Sequence, residues 1–138
     1  MVKNDLILLS GGFDPLHIGH LKMIQKAAAE FGNVAVVANS DEWLQRKKGF
    51  VFMPWEERAE IIKGIRGVKY VFAVDDSDGS VCEALRRIRP KFFGNGGDRT
   101  DKNTPEKELC KELGIEMVYN LGGGKIQSSS DLVKNITK

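Results

Sequence analysis

The stretch LILLSGGFDPLHIGHLKMI, residues 6–24, joins an apolar run to an amphipathic run through a turn that holds both histidines of the chain. Leu6 to Leu9 predicts a buried strand, and Ile18 to Phe31 predicts a helix with its apolar residues on one face. Between them the chain passes through Gly11 and Gly12. A buried strand that runs through glycines into a helix is typical of parallel α/β sheets.

The same alternation continues along the rest of the chain. Further apolar runs predict strands at Val34–Ala38, Tyr70–Val74, Phe92-Phe93 and Glu116–Tyr119. Helices are predicted at Pro54–Ile65 with proline in the first position, at Ser80–Ile88 with Ser80 as the cap, at Pro105–Leu113, and from Ser129 to the C-terminus. This order predicts one α/β domain over residues 1–138, with a Rossmann-like, five-stranded parallel sheet and helices on both faces.

Composition excludes several classes of protein. The 21 Lys and Arg residues are nearly matched by 19 acidic residues, so the net charge of +2 does not favour nucleic-acid binding. Arg46-Lys47-Lys48 is a short basic cluster, for which a solvated surface patch is one interpretation. Cys82 and Cys110 lack metal-ligand spacing and are expected to be buried thiols. No stretch suits a signal peptide or a membrane span, so we expect a cytoplasmic protein.

Three polar or glycine-rich stretches, residues 10–16, 94–104 and 120–130, each follow a predicted strand. In open α/β sheets, ligands bind in a crevice outside the carboxyl ends of the strands. We therefore expect these three loops to meet at one site.

His17 and His20 are three residues apart at the start of the first predicted helix, which places them on the same side of its first turn. A helix N-terminus attracts anions, so two imidazoles there predict a phosphate clamp. Gly19 leaves the surface between them clear, and Gly11 and Gly12 are expected to do the same at the strand exit. An N-capping turn with incidental histidines is one alternative. A zinc site is another, although no third ligand has suitable spacing.

The segment Gly12 to His20, GFDPLHIGH, resembles the G-x-F-D-x-x-H-x-G-H signature of the cytidylyltransferase-like nucleotidyltransferases. The resemblance to glycerol-phosphate cytidylyltransferases and heptose-phosphate adenylyltransferases covers nearly the whole chain. It extends to the segments Asn39-Ser40-Asp41-Glu42, Lys47-Lys48, Pro54-Trp55-Glu56-Glu57-Arg58, Ile65-Arg66-Gly67-Val68, Gly96-Gly97-Asp98 and Ser128-Ser129-Ser130.

This resemblance implies an enzyme that transfers a nucleoside monophosphate from a nucleoside triphosphate to a small phosphorylated acceptor and releases pyrophosphate. Catalysis of that kind rests on positioning and on stabilisation of charge. The residues implied to be catalytic are His17, His20, Lys48 and Ser129. Mg²⁺ is expected to accompany the triphosphate, with no metal ligand assigned. The relatives also suggest a homodimer.

The resemblance further implies two groups of binding residues. Nucleotide contacts are expected from Gly11, Gly12, Phe13, Asp14, His17, Gly19, His20, Lys47, Lys48, Gly96, Gly97, Asp98, Arg99, Ser128, Ser129 and Ser130. Contacts to the acceptor are expected from Asp41, Trp55, Arg58 and Arg66. Residues 46–53 are expected to form a mobile loop that closes over the triphosphate.

Some of these residues have a second interpretation. Asp14 is expected either to orient the histidine loop or to help to hold Mg²⁺, and its place before Pro15 also suits a turn. Arg58 is alternatively a helix-surface residue paired with Glu56 or Glu57. Family members often carry an arginine near the position of Lys125, and lysine lacks the bidentate geometry of a guanidinium.

The nucleobase and the class of protein stay open at this point. Ile65-Arg66-Gly67-Val68 is similar to the I-R-x-V of cytidylyltransferases and slightly favours CTP. Gly96-Gly97-Asp98 is similar to the G-G-D of heptose-phosphate adenylyltransferases, which favours ATP and a sugar phosphate. A non-catalytic nucleotide-binding module is an alternative from another class. A class I aminoacyl-tRNA synthetase fragment is disfavoured because the chain is far too short.

Overall fold

A computed structural model describes residues 6–94 and 105–118. The strands are β1 (Leu6–Gly11), β2 (Asn33–Ala38), β3 (Val68–Phe72), β4 (Phe92–Gly94) and β5 (Glu116–Val118). The helices are α1 (Ile18–Phe31), α2 (Asp41–Lys48), α3 (Trp55–Lys63), α4 (Cys82–Ile88) and α5 (Pro105–Leu113). All strand pairs are parallel, and the order in the sheet is β3-β2-β1-β4-β5. The predicted five-stranded Rossmann-like fold is confirmed.

Two apolar clusters cover the two faces of the sheet. Ile7 and Leu9 of β1 pack on one side with Ile24 of α1 and Ile62 of α3, whereas Leu8 packs with residues of α4 and α5 on the other. Successive residues of a strand point to opposite faces, so a strand covered on both sides needs a continuous apolar run. This explains why LILL is uninterrupted, and it confirms helices on both faces.

Gly67, the variable position of the Ile65-Arg66-Gly67-Val68 segment, lies where α3 leads into β3. Its φ is +99°, and a Cβ there would lie 2.5 Å from the Cβ of Ala28 in α1. Both the backbone conformation and the close approach to α1 require glycine. Part of the resemblance of this segment to the I-R-x-V of cytidylyltransferases therefore follows from the packing of the chain against α1 where it enters β3.

Several predicted boundaries shift. The third strand starts two residues earlier than predicted, at Val68, and α3 starts at Trp55 with Pro54 in the capping position. The prediction of Ser80 as N-cap is wrong, because Val81 holds that position. Ser80 lies just outside the helix, and its Oγ accepts the Cys82 N–H at 3.3 Å. Cys82 and Cys110 are buried free thiols, as predicted.

Helix α2 is the element that the sequence interpretation did not include. Ser40 caps it through a hydrogen bond from the Trp43 N–H, acidic residues occupy its first turn and basic residues its last, and Gly49 ends it in the left-handed conformation. These are ordinary capping signals. The helix has eight residues, of which only Leu44 is buried, so it carries no apolar periodicity to detect. The loop predicted over residues 46–53 is thus helical as far as Lys48.

The sheet order reverses at β1, which lies between β2 and β4. In sheets of this kind, the crevice outside the carboxyl ends of the strands at such a reversal is the usual ligand site. Stretch 10–16 lies there. Residues 95–104 of the predicted stretch 94–104 lie outside the described residues, as do the stretch 120–130, Tyr119 and the predicted C-terminal helix. Within residues 6–94 and 105–118, no helix has the length and apolar character needed to cross a membrane.

Candidate active site

The histidine turn, residues 12–20, connects β1 to α1. His17 is the N-cap of α1, and its Nδ1 accepts the Gly19 N–H at 3.0 Å. The Nδ1 of His20 accepts the His17 N–H at 3.2 Å, which completes a reciprocal capping box. The two rings stack with their centroids 3.8 Å apart and an angle of 23° between their planes. The predicted placement of both histidines on one side of the first turn is confirmed.

This hydrogen-bond pattern assigns the ring protons. In each imidazole Nδ1 is the acceptor, so a neutral ring carries its proton on Nε2. Burial, with a smaller contribution from the neighbouring His17 ring, lowers the pKa of His20 to about 3. His20 is therefore neutral near pH 7. His20 therefore offers a ligand the N–H donor of a neutral imidazole. A positively charged phosphate clamp would instead need an imidazolium at this position.

Phe13 packs against the His20 ring. It has a positive φ of 52°, its ring is buried, and the ring meets His20 edge-on with centroids 4.9 Å apart. A buried ring has no surface for a nucleotide. In this structure, Phe13 contributes by holding the His20 imidazole in place.

Gly11 and Gly12 are closely packed by the protein itself. A Cβ on Gly11 would lie 3.2 Å from the Phe13 ring, and one on Gly12 would lie 3.1 Å from Leu44 Cδ2 and 3.5 Å from Trp43 Cζ3. Side chains of the turn and of α2 occupy the space that a Cβ would take at either glycine, and the approach of a ligand to their backbone stays a prediction. The absence of a Cβ at Gly12 allows α2 to approach β1.

Asp14 ties the following loop to the histidine turn. Its side chain is completely buried, and its two oxygens accept the backbone N–H groups of Phe52 at 2.7 Å and Met53 at 2.5 Å. Both partners belong to the lysine segment, which we define as residues 41–53. These contacts give Asp14 an orienting role within the protein.

The two lysines of the segment have different surroundings. Lys48 Nζ donates to the backbone oxygen of Asp14 at 2.6 Å, and its side chain is only 16% exposed. Lys47 is exposed and lies over the Trp43 ring, 5.3 Å from its centroid. Lys48 is therefore the lysine that the structure brings to the histidine turn.

Arg58 is a buried hub, so its alternative interpretation as a helix-surface residue is wrong. Its Nε donates to Met53 O at 2.9 Å, and its Nη1 donates to Gly12 O and Asn39 O at 2.7 Å each. Its Nη2 pairs with Asp41 Oδ1 at 2.7 Å. The guanidinium thus joins the ends of β1 and β2 to both ends of the lysine segment. These bonds are to protein atoms, and a contact to an acceptor stays a prediction.

The other residues predicted to bind the acceptor differ in exposure. Asp41 opens α2, and its side chain is 39% exposed beside Arg58. Trp55 is half-buried and donates its Nε1–H to Ala38 O at 3.0 Å, at the carboxyl end of β2. Arg66 is exposed in the turn before β3. Asp41 and Trp55 lie at the site, and no described contact connects Arg66 with it.

Asp76 was missed by the sequence interpretation. It follows β3 and is buried, and its carboxylate accepts three hydrogen bonds from Asn39 and Ser40, the two residues that precede α2. Asp76 lies 36 residues beyond Ser40 in the chain, and Asp75 and Asp78 stand beside it in the same acidic turn. Nothing in the sequence distinguishes it from those neighbours.

The described residues offer little to a metal ion. No group of three or more His, Cys, Asp or Glu side chains in the described part of the chain could hold one. Each oxygen of Asp14 accepts one backbone N–H group, which leaves a lone pair on each, and a role for Asp14 in holding Mg²⁺ stays a prediction. The residues Gly96, Gly97, Asp98, Arg99, Ser128, Ser129 and Ser130, together with Lys125, lie outside the described residues.

The fold and the histidine turn define a class of parallel α/β protein with a histidine pair at the N-terminus of the first helix, and a family comparison shows the family to which the chain belongs. The model of the cytidylyltransferase-like family matches residues 8–122 of the chain. The chain belongs to this family.

Curated relatives extend the likeness over nearly the whole chain. The chain is 33% identical over 133 residues to "Bifunctional protein HldE" of Wolinella succinogenes, covering 95% of the chain and 27% of that protein. It is 30% identical over 138 residues to the protein of the same name from Geobacter sulfurreducens, again covering 27% of that protein. The chain thus spans about a quarter of the length of these relatives.

Solved structures share the fold at lower identity. A lipopolysaccharide core biosynthesis protein from Thermoplasma volcanium matches with a TM-score of 0.68 and 18% identity, over 83% of this chain and 93% of that one. A chain described as a nicotinate-nucleotide adenylyltransferase from Vibrio parahaemolyticus matches with a TM-score of 0.56 and 16% identity, over 96% of this chain and 86% of that one.

Proposed function

We propose that the protein is a nucleotidyltransferase that transfers a nucleoside monophosphate to a small phosphorylated metabolite. The observation that carries the proposal is the stacked pair of His17 and His20 on the N-terminus of α1, with the Lys48 ammonium held at the same turn. Imidazole donors, a cation and a helix N-terminus belong to or contact the same turn, a combination that suits a triphosphate. Membership of the cytidylyltransferase-like family supports the same conclusion.

In the proposed reaction, a phosphate oxygen of the acceptor attacks the α-phosphorus of the triphosphate. The bond from the α-phosphorus to the bridging oxygen breaks, and pyrophosphate leaves with that electron pair. No protein nucleophile is needed, so rate enhancement comes from positioning and from stabilisation of the charge that develops. The neutral imidazole of His20 suits this task as an N–H donor, because its lowered pKa keeps it from taking up a proton near pH 7.

Lys48 supplies the mobile charge of the proposed site. Its ammonium is bonded to the Asp14 backbone oxygen at 2.6 Å, with the Asp14 carboxylate 3.9 Å away. A triphosphate oxygen beside the histidine turn would replace that carbonyl as the acceptor. A hydrogen bond from the ammonium to a phosphate oxygen joins two opposite charges, whereas the bond to the carbonyl has a charge only on the donor, so the exchange favours the bound state.

The finer parts of the proposal concern substrates and assembly. The resemblance to heptose-phosphate adenylyltransferases supports a sugar phosphate as acceptor, alongside polyol phosphates and phospho-alcohols. Ile65-Arg66-Gly67-Val68 favours CTP, while Gly96-Gly97-Asp98 favours ATP. Ser128, Ser129 and Ser130 are proposed to bind the β- and γ-phosphates. Mg²⁺ is proposed to enter with the triphosphate, held by its oxygens and water, and the active form is proposed to be a homodimer.

The experiment that tests the proposal measures pyrophosphate release from CTP, ATP, GTP and UTP with Mg²⁺ and a panel of phosphorylated acceptors. We expect release with one nucleotide and one class of acceptor, and loss of release in Lys48→Ala. The exposed Lys22→Ala in α1 is the matched control and should retain activity.

Thermal unfolding with each nucleotide separates the enzyme from the binding module. A ligand at one hundred times its dissociation constant stabilises the fold by about 2.7 kcal/mol. Stabilisation by a nucleotide without pyrophosphate release from any acceptor would support the non-catalytic module. If no nucleotide stabilises the fold and none gives pyrophosphate release, both the enzyme and the binding module are contradicted.

A further inference from the structure

Helix α2 carries Lys48 yet is weakly anchored by apolar contacts. It has eight residues, and Leu44 is its only buried one. An isolated helix of this length is unstable in water, because few backbone hydrogen bonds form for the residues that must be fixed. The position of its last turn therefore depends on polar contacts from outside the helix.

The side chain of Asp76 provides such contacts at the start of α2. Its Oδ2 accepts Asn39 Nδ2–H at 2.9 Å and the Ser40 N–H at 2.9 Å, and its Oδ1 accepts the Ser40 hydroxyl at 2.6 Å. Ser40 in turn caps the helix by accepting the Trp43 N–H at 3.0 Å. The carboxylate thus fixes the direction in which the capping hydroxyl points.

The backbone of Asp76 contacts the other end of the same helix. Its carbonyl oxygen accepts a hydrogen bond from Arg46 Nη2 at 2.8 Å, in the last turn of α2. Arg46 is two residues before Lys48. Asp76, in the turn that follows β3, therefore contacts both ends of the helix that carries Lys48.

We propose that Asp76 is a positioning residue that sets the location of Lys48 beside the histidine turn. This inference rests on the proposed function for Lys48. Asp76 contacts neither the histidines nor the lysine, and it acts through α2. Its carboxylate is required because only a side chain with two acceptor oxygens satisfies three donors from Asn39 and Ser40 at once.

The first test needs no enzymatic activity. The full chain and its Asp76→Ala and Asp76→Asn variants are treated with an amine-acylating reagent, and the labelling rates of individual lysines are read by peptide mass spectrometry. Lys48 is 16% exposed and hydrogen-bonded, whereas Lys47 next to it is exposed. We expect the rate at Lys48 relative to Lys47 to rise about tenfold in Asp76→Ala, and less in Asp76→Asn, which keeps an acceptor oxygen.

Asp75→Ala is the matched control. Asp75 is the adjacent carboxylate, but it is exposed, and its side chain accepts hydrogen bonds only from Ser77 among the described contacts. Its removal should leave the labelling of Lys48 unchanged. Thermal unfolding of each variant confirms that the comparison is made on folded protein. If Asp76→Ala does not fold, the comparison rests on Asp76→Asn. Unchanged labelling of Lys48 in folded Asp76 variants would overturn the proposal.

The second test is a double-mutant cycle on kcat. Asp76→Ala should lower kcat about tenfold while the nucleotide KM changes much less, and it should add little to the loss in Lys48→Ala. A general structural role predicts that the two losses multiply, and that result would overturn the proposal. If the wild-type chain shows no transfer activity, the proposed function fails, while the labelling result still decides whether Asp76 positions the lysine.

Discussion

The two halves of the candidate site are held in opposite ways. The histidine pair at the start of α1 is fixed by partners two or three residues apart, His17 with Gly19 and His20 with His17. The lysine segment is fixed by partners far along the chain, as when Phe52 and Met53 bond to Asp14, 38 and 39 residues away. One half is a local capping motif. The other half depends on tertiary contacts.

This difference has a physical consequence. Local capping bonds form whenever α1 forms, so the geometry of the histidine pair is tied to the stability of a 14-residue helix. The lysine segment has little apolar packing and is held by buried carboxylates and one guanidinium, so we expect that it can be displaced without loss of the core. A fixed set of donors and a displaceable cation suit a reaction in which charge must be gathered around a bound triphosphate.

The largest effect is expected from a substitution of Arg58, which bonds to residues at both ends of the lysine segment and to the ends of β1 and β2. Arg58→Met keeps most of the side-chain volume but leaves three carbonyl oxygens and the Asp41 carboxylate without their partner. Buried acceptors left without a donor cost roughly 1–3 kcal/mol each, and the 39% exposed Asp41 carboxylate adds less, so the total loss is roughly 3–5 kcal/mol. We expect a loss of that size in the free energy of unfolding, measured by urea denaturation.

Arg66→Met is the control for Arg58→Met, because Arg66 is an exposed arginine eight residues further along. Its effect on the free energy of unfolding should lie within about 0.5 kcal/mol, as for most surface substitutions. Equal small effects in both variants would show that the lysine segment does not depend on the guanidinium.

The second effect tests the local half of the site. His20→Ala removes a preorganised donor at the place where charge develops, and loss of one such donor costs about 10²- to 10³-fold in kcat, or about 2.7–4 kcal/mol in the barrier. The nucleotide KM should change much less, since an interaction that strengthens in the transition state acts mainly on kcat. Steady-state kinetics on the acceptor identified by pyrophosphate release measures both parameters.

Two further variants sharpen the His20 result. His20→Asn keeps a donor and an oxygen that can accept the His17 N–H, so it should recover part of the lost rate. Gln25→Ala, an exposed change on the same helix, should leave the rate unchanged. If His20→Ala instead unfolds the protein and the folded fraction stays active, the histidine serves only as a cap.

The contrast between the halves also explains what the sequence could predict. The position of the histidine turn, and the placement of both histidines on one side of the first turn of α1, could be predicted because the strand, the glycines and the helix are contiguous. The network of Asp76, Asn39 and Ser40 could not be predicted in the same way, since it depends on which strand follows which in the sheet. Arg58 shows the limit most clearly, because its neighbours in sequence are glutamates and its partners in space are mostly backbone oxygens.

Secondary structure, too, could be predicted where its signals are local and apolar, and not where it depends on polar contacts. Helix α5 was predicted with its observed bounds, because its apolar residues recur with helical period and Gly114 follows its last residue. Helix α2 was missed because its signals are caps and charges, with a single buried residue. Short helices held by polar contacts are invisible to apolar periodicity, and in this protein one of them carries a site lysine.

The smallest expected effect is on the pH dependence of the free energy of unfolding, and it tests whether the histidine turn is the fixed half of the site. Burial, with a smaller contribution from the His17 ring, lowers the pKa of His20 from 6.5 to about 3 in the native state. In the unfolded chain the ring takes up a proton as the pH falls below about 6.5, whereas the native state does not. The free energy of unfolding must then decrease as the pH falls from about 6.5 towards 3, because the unfolded state binds more protons.

Between pH 7 and pH 5, this one group predicts a loss of at most about 2 kcal/mol, and urea denaturation at both pH values measures it. The same pair of measurements on His20→Asn removes the titrating ring but keeps the carboxylates, whose contributions cancel when the two differences are subtracted. Wild type should lose about 2 kcal/mol more than the variant over this range. Equal losses in the two proteins would mean that His20 titrates as an exposed ring, and that the turn presents an imidazolium to its ligand at mildly acidic pH. The histidine turn would then be as responsive to its surroundings as the lysine segment, and the division of the site into a fixed half and a displaceable half would not hold.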